Sequence, residues 1–264
     1  MTRVRRPDGL GFPDVVLHFN SEEVRFELPA QALALPPAYR AKVQAHWEAV
    51  NADGRFFNGQ VLAAVDVQPA ASPPVVRLAV TDYAHYLYAA ADRNREADCR
   101  AVYCSSVLLT TDGYVLLGEM AGNTASPGHL LCPGGMLELN AARGVSAVAC
   151  CERELTEEVG AAVWQDRRSF RPLCIKTGGR RSNIGLFYVV RLNSTAQLAL
   201  SRFATHQAEL RRAGEKPELA RLVPIKLDVA AIDAFLRGEA PRADYLRPLF
   251  QDHWARVQAA ADAG

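Results

Sequence analysis

The stretch Cys150 to Ala161 reads CCERELTEEVGA, and it decides how the rest of the chain is interpreted. Its composition predicts a helix over residues 146–159, and the glycine that follows ends it. Glu157 and Glu158 are adjacent, and they lie three and four positions after Glu154. The three side chains therefore share one helix face. Like charges at these spacings cost about 0.2–0.5 kcal/mol per pair in an isolated helix. The crowded carboxylates therefore require a compensating partner.

Two interpretations of this acidic turn are open. A solvated surface helix is one, because Arg153 lies four residues before Glu157 and can pair with it. A metal site is the other, because hard divalent cations such as Mg2+ prefer oxygen ligands and convert carboxylate repulsion into attraction. Upstream, Gly134 and Gly135 follow a proline, so the backbone there can bend tightly. This combination of glycines and acidic helix favours the metal site.

The glycines and the acidic helix resemble the signature of the Nudix hydrolase family, G-x5-E-x7-R-E-U-x-E-E-x-G-U, in which U is apolar. Residues 153–161, RELTEEVGA, match its second half in full. The first half departs from the pattern, since Val145 replaces the first glutamate and residues 140–143 lengthen the loop by four positions. The resemblance implies an α/β fold, a Nudix α/β/α sandwich with a mixed sheet.

The resemblance also implies roles for the acidic residues. Glu154, Glu157 and Glu158 would be ligands of Mg2+ or Mn2+, and Glu157 and Glu158 would also be catalytic, with Arg153 orienting a glutamate. The metal ions would bridge a diphosphate, neutralise charge in the transition state and activate the attacking water. Family members often recruit a further catalytic carboxylate from a later loop, and Glu218 is the candidate. A solvated loop residue is the alternative interpretation of Glu218.

A second group of candidates lies in KTGGRR, residues 176–181, between two predicted strands. Arginine forks and flexible backbone suit phosphate oxygens. A hairpin turn with basic tips explains the same letters equally well. The candidate substrate-binding residues are Lys176, Arg180, Arg181, Gly134 and Gly135.

Composition limits the classes of partner. Thirty basic and 29 acidic residues leave a net charge of +1, which gives no electrostatic reason to expect a nucleic-acid or membrane partner. The expected partner is a small nucleotide substrate. The six cysteines are irregularly spaced, and the N-terminus lacks the apolar run of a signal peptide, so we expect a cytoplasmic protein. Cys150 and Cys151 stand where the family pattern usually has small residues, so we expect them to pack in the core.

Alternation of strands and helices predicts layered α/β architecture. We expect a smaller α+β N-terminal domain over residues 1–100 and a Nudix hydrolase domain over residues 101–264. The first domain should begin with a hairpin of strands 15–19 and 24–28. Its other predicted elements are a helix at 38–50, strands at 60–67 and 75–80, and a helix at 81–90. The second domain should contain strands at 101–110, 114–120, 171–177, 184–192 and 220–227, and helices at 201–212, 229–237 and 245–261.

The family resemblance implies Mg-dependent hydrolysis of the pyrophosphate bond of a nucleoside diphosphate linked to another moiety. The products would be a nucleoside monophosphate and a phosphorylated compound. Residues 56–67 and 75–90 look like the N-terminal extension of a Nudix branch that includes a UDP-glucose and UDP-galactose hydrolysing enzyme, which suggests a UDP-sugar substrate.

Three alternatives remain. The substrate can be ADP-ribose or a dinucleotide, or the chain can be a nucleotide-binding Nudix module with weak catalysis. The third alternative is a regulator that carries a DNA-binding domain. Near-neutral charge and a strand-rich N-terminal half disfavour that third alternative.

Overall fold

The structure is a computed structural model that describes residues 13–28, 32–54, 56–92, 94, 96–142 and 144–262. Arg143, within the predicted loop expansion, lies outside the described residues. The predicted boundary between residues 92 and 100 is described only in part. Within the described ranges, no helix has both the length and the apolar character needed to cross a membrane.

The described chain forms ten strands and seven α-helices. In chain order the strands are β1 (Val16–Phe19), β2 (Arg25–Glu27), β3 (Gln60–Gln68), β4 (Val75–Asp82), β5 (Val102–Leu109), β6 (Tyr114–Met120), β7 (Leu130–Leu131), β8 (Arg167–Thr177), β9 (Ile184–Leu192) and β10 (Leu219–Lys226). The helices are α1 (Pro37–Val50), α2 (Tyr83–Ala91), α3 (Ala147–Glu158), α4 (Ala161–Gln165), α5 (Ala196–Arg212), α6 (Val229–Arg237) and α7 (Trp254–Asp262). A π-helical turn covers Pro248–Asp252.

The strands form two sheets. The larger one has seven strands in the order β1-β8-β9-β5-β6-β10, with β7 paired to β6. Its β5–β9 pair is parallel and its other pairs are antiparallel, so the sheet is mixed as predicted. The smaller sheet has the order β2-β4-β3.

The predicted N-terminal hairpin is wrong. Strand β1 pairs with β8 of the larger sheet, placing Val16 opposite Thr177. Strand β2 instead runs parallel to β4 in the smaller sheet, with Arg25 opposite Val75. One strand from before residue 100 thus belongs to the larger sheet, while the division of the chain at residue 100 stays a prediction.

Helices cover both faces of the larger sheet. On one face, Leu155 of α3 and Phe203 of α5 pack in one cluster with Leu108 of β5. On the other, Leu249 of the π-helical turn packs in a cluster with Val107, the next residue of β5, and with residues of α6 and α7. Successive strand residues point to opposite faces, so these clusters lie on opposite sides of the sheet. The predicted α/β fold with a mixed sheet between helices is confirmed.

Helix α3 begins and ends where its sequence predicts. The Ser146 hydroxyl accepts a hydrogen bond from the Ala149 N–H at 3.2 Å and caps the first turn. Gly160, with φ of +110°, follows the last turn and allows the chain to leave the helix. Cys150 and Cys151 pack in the core as predicted, against residues of β5 and β9.

Candidate active site

Helix α3 presents its three central glutamates differently. Glu154 and Glu158 are buried, with 9% and 6% of their surface exposed. The Glu157 side chain is 60% exposed. The first two lie four residues apart on the face that packs against the sheet, and Glu157 lies at the edge of that face. The helix therefore directs two carboxylates inward and one toward solvent.

The double-glycine loop lies directly against the two buried carboxylates. The Gly134 N–H donates to Glu158 Oε2 at 2.9 Å. A Cβ atom at Gly135 would overlap the Glu154 carboxylate, and one at Gly134, where φ is +150°, would overlap the Cys104 carbonyl oxygen. Both positions therefore need glycine, one for its conformation and close approach to β5 and the other for the space beside Glu154.

Arg153 links the loop to the helix. Its Nη2 atom lies 2.7 Å from Glu154 Oε1 and donates to the Met136 carbonyl at 3.2 Å. Its Nη1 atom donates to Glu157 Oε2 at 3.2 Å, which is the i, i+4 pair that the sequence predicts. The guanidinium thus holds one buried and one exposed glutamate in place.

Burial controls the charge of the two inward carboxylates. It raises the pKa of Glu154 to about 7, against the opposing effect of Arg153. Burial also raises the pKa of Glu158 well above its usual range, and the Glu154 charge adds to this effect. The Glu218 charge raises the pKa of both groups. The pair consequently lacks the positive charge that would keep both carboxylates ionised at neutral pH.

The buried pair fits the chemistry of a hard divalent cation. Both groups supply oxygen ligands, and the glycine at position 135 allows the Glu154 carboxylate to lie directly against the loop backbone. Over the described part of the chain, no three His, Cys, Asp or Glu side chains are arranged to hold one metal ion. Glu157 is the member of the predicted ligand set that pairs with Arg153 at the surface. The predicted three-carboxylate set of Glu154, Glu157 and Glu158 therefore stays a prediction.

Glu218 is an exposed residue that lies just before β10. Its carbonyl oxygen accepts a hydrogen bond from the Ala121 N–H at 2.7 Å, which fixes the backbone beside β6. Because its charge acts on both Glu154 and Glu158, it faces the same region of the molecule. Its predicted catalytic role stays a prediction.

The two departures from the Nudix pattern have structural explanations. Val145, at the position of the first glutamate, packs against the hydrophobic cluster beneath α3. Asn140 closes the lengthened loop, since its Oδ1 atom accepts from the Gly144 N–H at 2.8 Å and its own N–H donates to the Gly144 carbonyl at 2.9 Å. Asn140 and Gly144 thus meet across the lengthened loop ahead of the helix.

The KTGGRR segment is a turn between β8 and β9 that contains a buried cation. The Lys176 side chain is only 4% exposed and lies 3.5 Å from Asp244. Its ammonium donates to the carbonyls of Gly178 and Asn183 at 2.8 and 3.3 Å. Burial lowers its pKa from the usual value. Lys176 therefore holds the turn together.

The two arginines of this turn are exposed. Arg181 Nη1 donates to the Tyr86 hydroxyl of α2 at 3.0 Å, and Asn183 Nδ2 donates to the same hydroxyl at 3.3 Å. The sequence did not predict the role of Tyr86, because the residues that it joins are almost a hundred positions apart. The substrate-binding roles of Lys176, Arg180 and Arg181 stay predictions.

Replacing Lys176 with methionine tests whether the ammonium mainly stabilises the turn or mainly binds substrate. The substitution keeps the length of the side chain and leaves two carbonyls without their donor, so we expect a loss of about 2 kcal/mol in unfolding free energy. We expect kcat/KM to change less than in Arg180→Gln, which removes an exposed charge. Urea unfolding and steady-state kinetics of both variants measure these effects. A large rise in KM with unchanged stability in Lys176→Met would instead assign the ammonium to substrate.

Comparison with known proteins concerns the fold. No family model and no curated protein gives a significant match to the chain. Among solved structures, a Deinococcus radiodurans protein is 15% identical over 58% of this chain and 82% of its own, with a TM-score of 0.40. The Nudix domain of Shewanella oneidensis NrtR, solved with ADP-ribose, is 17% identical over 68% and 99%, with a TM-score of 0.39. A Nudix hydrolase from Nitrosomonas europaea is 18% identical over 60% and 88%, with a TM-score of 0.34.

Proposed function

We propose that the chain is a Nudix-type hydrolase that uses Mg2+ or Mn2+ to cleave the pyrophosphate bond of a nucleoside diphosphate linked to another moiety. The observation that carries the proposal is the position of the RELTEEVG segment. It places two buried carboxylates, Glu154 and Glu158, against the double glycine at 134–135. A surface helix has no need of buried glutamates, which are costly unless a cation or hydrogen bonds compensate them.

The residues divide into holding, orienting and proton-accepting groups. Glu154 and Glu158 would hold the metal from the helix side, and Glu157 would join them on leaving Arg153. Arg153 would keep Glu154 in position through its 2.7 Å contact. A bound divalent cation would neutralise charge on the diphosphate and lower the pKa of the attacking water. Glu218 would accept the proton of that water, since it is exposed and its charge reaches both buried glutamates.

Two substrate classes are proposed. A UDP-sugar is suggested by the likeness of residues 56–67 and 75–90 to the extension of a Nudix branch. ADP-ribose is the second, and it is the ligand with which the Shewanella oneidensis Nudix domain was solved. For either substrate, the exposed Arg180 and Arg181 are the proposed contacts to phosphate oxygens. A nucleotide-binding module with little turnover is the alternative function.

The test is a panel of nucleoside diphosphate derivatives incubated with the protein and Mg2+ or Mn2+. The panel contains UDP-glucose, UDP-galactose, ADP-ribose and a dinucleotide, and chromatography identifies the products. We expect a nucleoside monophosphate and a phosphorylated product from at least one compound, and no product in excess EDTA. Binding of a panel compound without any turnover would favour the module, whereas turnover in EDTA would contradict a role for the metal.

A further inference from the structure

A cavity of about 320 Å3 lies at one end of the larger sheet, away from the acidic helix. The cavity is lined by the end of β5, the turn after β5, the beginning of β8, the ends of β9 and β10, and one residue of α7. Its charged lining residues are Arg168, Arg191 and Lys226, and its lining includes no acidic residue. Three strands thus bring positive charge to one concave site.

The cavity is separate from the carboxylate site, because none of its lining residues belongs to helix α3 or to the double-glycine loop. Arg191 of β9 is paired in register with Leu109 of β5, so the two side chains point to the same face. Leu109 packs in the cluster that contains Val257 of α7. Its neighbour Leu108 points the other way and packs with Leu155 of α3. Because α3 carries the glutamates, a ligand in this cavity cannot contact them.

Arg191 and Lys226, two of the three cations of the cavity, differ in their contacts within the protein. Arg191 is half-buried and has no ion-pair partner among the residues that the structure describes. The Lys226 ammonium donates to the Asp112 carbonyl. The Asp112 carboxylate itself accepts hydrogen bonds from the Thr110 hydroxyl at 2.6 Å and the Ala196 N–H at 2.9 Å. Against the opposing effect of burial, these hydrogen bonds and the nearby Lys226 charge lower the pKa of Asp112, so Asp112 compensates part of the Lys226 charge.

We propose that this cavity binds a small phosphorylated anion at a site separate from the carboxylate site. Guanidinium groups bind phosphate through two parallel hydrogen bonds, and Arg168 and Arg191 approach the cavity from adjacent strands. The Thr110 and Thr111 segment and Gln258 add neutral polar groups to the lining. The volume exceeds that of one phosphate ion and is at the lower end of the range for small-molecule sites. A diphosphate or a phosphorylated small metabolite matches this space and charge.

The test is isothermal titration of the full-length protein with sodium pyrophosphate in EDTA at constant ionic strength. EDTA removes divalent cations, so the carboxylate site cannot hold the probe through a metal. We expect one saturable binding event that Arg191→Gln weakens about tenfold or more, the effect of losing a charge-assisted hydrogen bond. Arg212→Gln, an exposed charge at the end of α5, is the matched control and should leave binding unchanged.

Two further variants complete the test. Gln258→Glu places a negative charge in the cavity from an exposed position of α7 and should weaken binding without disturbing the sheet. Glu154→Gln should leave pyrophosphate binding in EDTA unchanged, which separates this site from the proposed active site. The proposal would be overturned if the wild-type protein gave no saturable heat. It would also be overturned if Arg191→Gln and Gln258→Glu both bound pyrophosphate with the wild-type affinity. A change of binding only in Glu154→Gln would place the anion at the acidic helix instead.

Discussion

Glu158→Gln is expected to lower kcat for hydrolysis of the nucleoside diphosphate substrate by about 10³-fold. This is the size of effect seen when a group that stabilises transition-state charge is removed. Glutamine keeps the shape of the side chain, and its carbonyl oxygen can still accept the hydrogen bond from the Gly134 N–H, 2.9 Å from Oε2. It cannot supply the negative charge that a divalent cation needs. The fold should therefore survive while turnover is lost, and steady-state kinetics at saturating Mg2+ measure the change.

Glu152→Gln is the matched control, because Glu152 is exposed on the same helix and the substitution removes the same charge. We expect its kcat to equal that of the wild type. Circular dichroism should show that both variants retain helix α3. Wild-type turnover in Glu158→Gln would mean that the buried carboxylate is structural, and the proposed mechanism would then be wrong.

The acidic helix was predictable because its signals are local. The acidic composition and the glycine at the end lie within one segment, and α3 runs from Ala147 to Glu158. Likewise, the prediction that Arg153 pairs with Glu157 needed only the helix geometry. The burial of Glu154 and Glu158, with Glu157 left exposed, was not predicted, because it depends on which side of the helix packs against the sheet. Features that depend on one helix could be predicted from the sequence.

Features that depend on distant segments could not. The alternation in residues 15–19 and 24–28 predicts two strands but does not identify their partners, so the hairpin predicted between them is wrong. The helix predicted over 245–261 is divided into a π-helical turn and α7, and Pro248 begins the turn. The short elements α4 and β7 gave too few residues for a periodic signal.

The predicted basic turn shows the same limit within the site. The letters KTGGRR identify a cluster of cations but not which of them is buried. Asp244, far along the chain, and the carbonyls of the turn itself surround the Lys176 ammonium, whereas Arg180 stays exposed. Burial of a lysine depends on what packs over it, which spacing in one segment does not specify.

Glu154→Gln is expected to stabilise the metal-free protein above pH 7 by about 3 kcal/mol, because the pKa of Glu154 is raised to about 7 in the folded state against 4.5 as its ordinary value. Below pH 4.5 the carboxyl is protonated in both states and costs nothing. Between pH 4.5 and pH 7 the carboxyl ionises in the unfolded state but not yet in the folded state, so wild-type stability falls across this window. The glutamine variant lacks the part of this fall that Glu154 causes, and the part that Glu158 causes remains. Urea unfolding in EDTA from pH 4 to pH 8 measures the difference.

Glu157→Gln is the control for this pH dependence. Burial raises the pKa of Glu154 more than the charge of the exposed Glu157 does, so this variant should keep most of the fall in stability between pH 4.5 and pH 7. At pH 8, saturating Mg2+ should make the wild type more stable to urea than Glu154→Gln, the reverse of the order expected in EDTA. A cation that binds the folded state stabilises the wild type, and the glutamine variant has lost one charged ligand. If instead Mg2+ stabilises Glu154→Gln as much as the wild type, Glu154 is not a metal ligand, and the buried carboxylate requires another explanation.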